Sequence, residues 1–499
     1  MTLGLVLPLI WLVAVGKLRS MENTTNHGAF LKLDQNGRNR RLIKPDGASS
    51  TEKAACLALT IGRLYEEMGL TQTTVRLFDE ALDMWRFDPN REESLNEQYG
   101  QSNINPTKPP VLAGGYTETE INSFSASDLE FILRLTIAKA RVLGTYQAAD
   151  QKGQKAASQA WVDALHLYER SPETSNLQDR SIIFPIFSGL FVFLKSGLVE
   201  DKNSKFEQDL INKFIAEAEA AAATVHLCRA LAMKAAFLAR FNEYDEAIKI
   251  FCRMRDLYVP EEHSNTLTEI YGSDRCAQAF SLSALWQMAL GEETIAIDMC
   301  DYIIKRLLPK MDGQDIFNST VLLFPVMRIL KFRGQALRMR DIFQQHIMKP
   351  YLEKVGEGGS TIWKPLYKPL SILLDLECSI CDFKEDSLNL TSNLSQNTLE
   401  EYATWIASQS KPLFSQLHEN SAYELGWSPY TIICEVCMLL GKCMKQNETL
   451  RGEIVKKGLE LAREKTMQML DEEFCEVLYP IAYEVHFPIQ SELENLSNL

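Results

Sequence analysis

The chain has 499 residues, of which 46% are hydrophobic and 24% are charged, a balance typical of a protein with a buried core. Its 66 acidic and 52 basic residues give a formal net charge of −14, so it lacks the basic surplus with which proteins bind phosphates. We therefore expect no nucleic-acid partner. Most of the 11 cysteines lie within apolar helical patterns, which predicts buried, reduced thiols and favours a cytoplasmic protein.

Residues 1–19 contain an apolar run, LGLVLPLIWLVAVG, at positions 3–16. The run is shorter than a typical membrane span and is interrupted by Pro8. No basic residue precedes it, whereas Lys17 and Arg19 follow. It is either a signal peptide or a membrane anchor. The alternatives are a buried N-terminal helix and an artefact of where translation was taken to begin. The polar residues 20–48 predict a disordered linker.

The next segment, from Ser49, predicts a pair of amphipathic helices that ends before Pro89. Gly62 and Tyr65 lie on the first helix, and Phe78 and Ala81 lie on the second. A long irregular connection is predicted over residues 90–125, which are rich in proline and glycine.

A second-helix pattern recurs further along, with Ala157, Trp161 and Ala164 at helical spacing. The following stretch, 181–198, is apolar nearly all round. Because Pro185 interrupts it and polar residues flank it, the pattern favours a buried central helix over a membrane span.

Residues 227–309 predict two further helical hairpins. Small residues recur where the paired helices would touch, since close approach of two helices requires small side chains. These residues are Ala235, Ala247, Ala284 and Ala296. The chain is predicted to reverse at Asn242-Glu243 and at Gly291, and each hairpin ends at a proline, Pro260 or Pro309.

This pattern resembles tetratricopeptide repeats, which place small residues, an aromatic residue and a proline at fixed positions of a 34-residue unit. Ala235, Ala247, Phe251 and Pro260 match, as do Ala284 and Ala296 in the next unit. Met254, Cys300 and Ile303 depart from the pattern. The resemblance implies an all-α fold, a right-handed α-solenoid of stacked helical hairpins, over residues 49–310.

A narrower resemblance rests on YGSD at Tyr271–Asp274, ALW at Ala284–Trp286 and LGE at Leu290–Glu292. These strings are similar to the helical-repeat region of large signalling proteins that join an AAA-type ATPase to a nucleotide cyclase or kinase. An insertion, EEHSNTLTEIYG, separates the two repeats. Beyond residue 310 the chain is predicted to form divergent helical repeats over 311–499. Helices are expected at 315–335, 338–355, 363–384, 397–417, 429–446 and, with an interruption, 449–487.

The sequence contains no phosphate-binding GxxxxGK[ST] loop, no GxGxxG fingerprint, no HExxH pair and no GxSxG elbow. Two CxxC pairs occur, Cys378/Cys381 and Cys434/Cys437. Four thiolates could bind zinc if the pairs met. Both pairs lie in apolar helical runs, which favours buried structural cysteines. We therefore predict no catalytic residue, no metal and no cofactor.

The resemblance implies a concave groove lined by the first helix of each repeat. The predicted groove residues are Arg63, Arg229, Ala236, Gln278 and Leu285. They do not provide the Lys and Asn with which some tetratricopeptide domains clamp acidic peptide tails. A mostly apolar groove with two arginines is suited to an amphipathic helix.

We therefore expect a non-catalytic interaction scaffold that binds a protein or peptide partner. Two alternatives stay open at this point. The chain could be a membrane-tethered regulatory fragment of a larger ATPase- or cyclase-type signalling protein, or an enzyme without a recognisable motif.

Overall fold

The structure, a computed structural model, describes Leu59 and Gly62 and the ranges 71–86, 116–146, 151–177, 179–194, 204–310, 316–354, 364–380, 392–408, 429–444, 446–471 and 480–498. The predictions for residues 1–19, for the linker 20–48, for Arg63 and for Cys381 lie outside the described residues.

The described part of the chain is all-α, as predicted, and contains no strand beyond an isolated bridge between Ile380 and Ser392. In the first compact unit, Met1–Lys202, the α-helices are α1 (Thr71–Arg86), α2 (Glu118–Asn122), α3 (Ala126–Tyr146), α4 (Gln151–Arg170) and α5 (Ile183–Leu194). In the second unit, Asn203–Leu499, they are α6 (Ser204–Ala220), α7 (Thr224–Arg240), α8 (Tyr244–Leu257), α9 (Pro260–Tyr271), α10 (Arg275–Ala289), α11 (Glu293–Tyr302), α12 (Ile316–Phe332), α13 (Ala336–Phe343), α14 (Lys349–Lys354), α15 (Lys364–Ser379), α16 (Gln396–Ser408), α17 (Pro429–Cys443), α18 (Glu448–Asp471) and α19 (Pro480–Ser497).

Two glycines of the first unit mark places where an aromatic ring lies against the backbone. A Cβ at Gly62 would lie 2.5 Å from the ring of Phe78, and a Cβ at Gly189 would lie 2.2 Å from the indole of Trp161. Phe78 and Trp161 are both buried. The helix pair predicted in this segment therefore includes a direct contact between Gly62 and Phe78, and α5 is a buried helix as predicted. None of the helices in the described residues combines the length and apolar character needed to cross a membrane.

The second unit begins with helices that pack pairwise along the chain. α7 packs against α8, α10 against α11, and α12 against α13. Each later first helix also contacts both helices of the pair before it: α10 packs against α7 and α8, and α12 packs against α10 and α11. This arrangement is compatible with a helical-repeat protein.

The small residues predicted at the helix contacts are all fully buried. Ala235, Ala247, Ala284 and Ala296 each have 0% of their surface exposed. Between the first two pairs, Phe251 packs edge-on against Phe280 with 5.0 Å between the ring centroids. The core of these hairpins therefore includes the small residues and an aromatic contact between the first two pairs, as the repeat pattern predicts.

The reversals at Asn242 and Gly291 also lie where predicted, and both residues adopt the left-handed conformation, with φ of +61° and +82°. At each turn the next residue donates its N–H to a carbonyl five residues earlier, Glu243 to Leu238 (3.1 Å) and Glu292 to Gln287 (2.8 Å). This is the Schellman bond that ends a helix. Equivalent bonds from Ala223 and Gln335 close the turns before α7 and α13.

The helices after Pro309 overlap the predicted ones, although α19 extends to Ser497, beyond the predicted end at residue 487. The helix expected over 338–355 begins at Ala336 and is divided by a π-helical turn, Gln344–Met348. A second π-helical turn, Ile303–Leu307, follows α11. One buried core extends from Cys228 to Leu496 across both sides of Pro309. The boundary at residue 310 therefore stays a prediction, based on where the repeat signature ends in the sequence.

Candidate partner-binding surface

Three of the predicted groove residues are buried. The exposed fractions are 4% for Arg229, 3% for Gln278 and 6% for Leu285, whereas Ala236 is half-buried. In this conformation Ala236 is therefore the one predicted position within the described residues that a partner could contact. Arg63 lies outside the described residues.

Ala236 lies on α7 one turn before Arg240, so the two side chains share a face of the helix. The guanidinium of Arg240 pairs with the carboxylate of Glu207 on α6, and both side chains are largely buried. Lys234 also reaches α6, where its ammonium donates to Asn212 at 3.3 Å. The surface around Ala236 therefore includes α6, which the sequence prediction did not assign to the groove.

Arg229 is buried because α9 lies over it. The guanidinium lies above the ring of Tyr271, 5.3 Å from the centroid, a cation–π geometry. His226, one turn earlier on α7, has its Nδ1 2.5 Å from the Tyr271 hydroxyl. The insertion between the two repeats thus returns to the first helix of the first repeat.

Asp274 joins α9 to α10. Its Oδ1 accepts the N–H of Ala277 at 3.0 Å, which caps α10, and its Oδ2 accepts the hydroxyl of Tyr258 at 2.5 Å. Burial raises the pKa of this carboxyl above its ordinary value, although the bonds from Tyr258 and Ala277 favour the charged form. Gly272, with φ of +79°, ends α9. The YGSD string therefore has a structural role as the joint between two helices.

His263 lies on the inner face of α9. Its Nδ1 accepts the N–H of Val259 at 3.1 Å, so the proton of the neutral ring resides on Nε2. Burial lowers the pKa of the imidazole. His263 therefore caps the start of its own helix in the neutral form.

Gln278 is held by its neighbour on α10. Arg275 donates to Gln278 Oε1 at 2.6 Å, and the buried Nε2 of Gln278 has no hydrogen-bond partner in the described part of the chain. The side chain is enclosed within the helix packing, so it does not line an open surface in this conformation.

A second buried charged group, the Lys331 cluster, joins three helices beyond residue 310. The ammonium of Lys331 on α12 contacts the carboxylates of Glu377 on α15, at 3.2 Å, and of Glu435 on α17. Burial lowers the pKa of Lys331 despite the carboxylate of Glu377, and the neighbouring Arg328 acts in the same direction. Sequence reasoning missed this cluster because Lys331 and Glu435 are far apart along the chain.

Three of the four CxxC cysteines, Cys378, Cys434 and Cys437, lie in helices, as predicted. Cys434 and Cys437 are fully buried in α17, and Gly458 of α18 packs directly against Cys437. Burial raises the pKa of the Cys437 thiol to about 12 and that of Cys434 well above its ordinary value. The described residues contain no group of three or more His, Cys, Asp or Glu side chains that could hold a metal ion.

The sequence contains local signals for α9 within the insertion. Pro260 occupies the first turn of the helix, Glu261 and Glu262 follow it, and Asp274 precedes the apolar run of α10. Proline and acidic residues are typical of helix starts, and an aspartate is a common N-cap. Comparison of the chain with protein-family models, with curated proteins and with solved structures finds no match.

Proposed function

We propose that this chain is a non-catalytic interaction module whose helical hairpins stack into a right-handed, tetratricopeptide-like solenoid that binds a protein partner. The packing of each first helix against both helices of the preceding pair is the observation on which the proposal rests. Tetratricopeptide arrays stack in this way, because one hairpin cannot bury its apolar face alone.

The proposed partner is an amphipathic helix or peptide that binds along the first helices α7 and α10. The accessible position on this surface is Ala236, a small residue that lets another helix approach closely. Arg229 would supply a cationic contact if the helices above it moved. The chain's net charge of −14 supports a protein partner over a nucleic acid.

The test compares two alanine-to-glutamate variants of the full chain. Ala236→Glu places a charge on the proposed surface, and Ala216→Glu places the same charge on an exposed position of α6. Proteins captured by each variant from cell lysate are identified and quantified against the wild-type chain, and thermal melting is recorded in parallel.

We expect a set of partners that wild type and Ala216→Glu retain and that Ala236→Glu loses, with melting temperatures nearly unchanged. If Ala236→Glu lowers stability as much as it lowers capture, Ala236 belongs to the core. If capture and stability are both retained, the partner does not bind on this surface.

A further inference from the structure

We propose that α9 is a displaceable strap that covers the binding face of α7 and that a partner helix bearing an aromatic residue replaces it. This inference rests on the proposed function. It assigns a regulatory role to the insertion between the two repeats, which the repeat pattern itself does not require.

The strap occupies the position that a bound amphipathic helix would take. It packs against both α7 and α10, the first helices of the two successive repeats. Its inner face consists of Pro260, His263, Ser264 and Leu267, and its outer face includes the exposed Glu261, Glu262 and Glu269. Such a helix lying on neighbouring helices is the arrangement of helix-in-groove recognition.

The strap covers a residue that the repeat pattern assigns to the groove. The ring of Tyr271 lies over Arg229, and the hydroxyl of Tyr271 reaches His226. Removal of the strap would expose a guanidinium and an imidazole on one face of α7. An aromatic side chain of a partner could then stack on Arg229 as Tyr271 does.

The strap has fewer buried apolar side chains than the α7 helix beneath it. Leu267 is its one fully buried aliphatic side chain. By contrast, the buried residues of α7 include Leu231, Met233 and Phe237. Segments with few buried apolar contacts open at lower free energy than the core. The strap can therefore detach while α7, α8 and α10 stay folded.

The first test measures hydrogen exchange by mass spectrometry on the full chain. In the wild-type chain we expect amides of α9 to exchange faster than those of α7 and α10. Leu267→Ser should accelerate exchange in α9 by at least about tenfold without changing α7. Tyr271→Phe, which removes only the hydroxyl, should act in the same direction but less. Asn265→Gln, at an exposed position of α9, should have no effect. Exchange of α9 at the same rate as α7 and α10 in every variant would overturn the proposal.

The second test uses a fluorescent synthetic peptide of residues 258–274 as the probe. It should bind the Leu267→Ser chain more tightly than the wild-type chain. The ratio of the two affinities should equal the ratio of the populations in which α9 is detached. A peptide carrying Tyr271→Ala should lose this gain. Equal binding of the natural peptide to both chains, with α9 shown open by exchange, would overturn the proposal. Neither test uses a natural partner. If both give the expected result while capture of lysate proteins is insensitive to Ala236→Glu, the proposed function alone is refuted.

Discussion

Replacement of Lys331 by methionine should reveal how strongly the Lys331 cluster stabilises the second unit. Met keeps the length and apolar volume of the side chain but removes the ammonium between Glu377 and Glu435. At 3.2 Å and an effective dielectric constant of about 20, the contact with Glu377 is worth about 5 kcal/mol before desolvation is subtracted. Breaking a buried ionic group of this kind leaves uncompensated carboxylates and typically costs about 3–5 kcal/mol.

The assay is urea unfolding of the full chain followed by circular dichroism. Lys249→Met is the matched control, because Lys249 pairs with Glu246 on the surface of α8 and both side chains are more than half exposed. Such an exposed pair contributes little to stability, because solvent screens both charges. Adding Glu435→Gln to Lys331→Met should recover part of the loss, since it removes one unpaired charge. A midpoint for Lys331→Met as close to wild type as that of the control would refute the assignment of a buried ionic cluster.

Three further predictions concern the helix seams, the turns and the joint, and all are measured by thermal melting. Ala247→Trp and Ala284→Trp should each destabilise the chain by about 1–3 kcal/mol or more, because both alanines are fully buried between helices; unchanged melting in both would show that the repeat phase is wrong. Ala222→Gly should stabilise the chain by about 0.5–1 kcal/mol and Gly291→Ala should destabilise it by about 1 kcal/mol, since both residues have positive φ. A Cβ at Gly291 would meet nothing within 4 Å, so the backbone conformation alone causes the expected loss. The opposite signs would contradict the Schellman geometry. Burial raises the pKa of Asp274, so the contribution of this carboxyl to stability falls as pH rises from its pKa in the unfolded state toward its pKa in the folded state. Asp274→Asn, which keeps an acceptor for the cap, should therefore match or exceed wild-type stability at pH 7, and its melting temperature should change less than that of wild type between pH 4 and pH 8.

The features that the sequence predicted correctly depend on residues close together along the chain. Gly62 and Phe78 follow from the resemblance to tetratricopeptide repeats. The turn residues Asn242 and Gly291 and the buried alanine Ala247 follow from helical spacing and from the conformations that glycine and asparagine tolerate. Local periodicity was sufficient for these because each hairpin is nearly complete within one repeat.

The burial of the groove residues could not be predicted in this way, because the burial of a first-helix residue depends on which segment packs over it. The position of Arg229 within its repeat resembles that of a groove residue, yet Tyr271, from an insertion 42 positions later, covers it. Lys331 and Glu435 are 104 positions apart and belong to different helices. No periodic pattern within one repeat contains information about such contacts.

The two π-helical turns have a consequence for insertions and deletions in this chain. Each follows the second helix of a repeat, at Ile303–Leu307 and at Gln344–Met348. A π-helical turn holds one residue more than the α-helical turn it replaces, so it shifts every later side chain by about 100° around the helix axis. Leu307 and Ile347 lie within these turns, and both are fully buried. Deleting one residue from either turn would leave a regular helix and rotate the residues that follow the turn away from their present direction. An insertion before the following helix would compensate for the deletion and return that next helix to its place. Repeats of unequal length that keep the same core can arise by such paired changes.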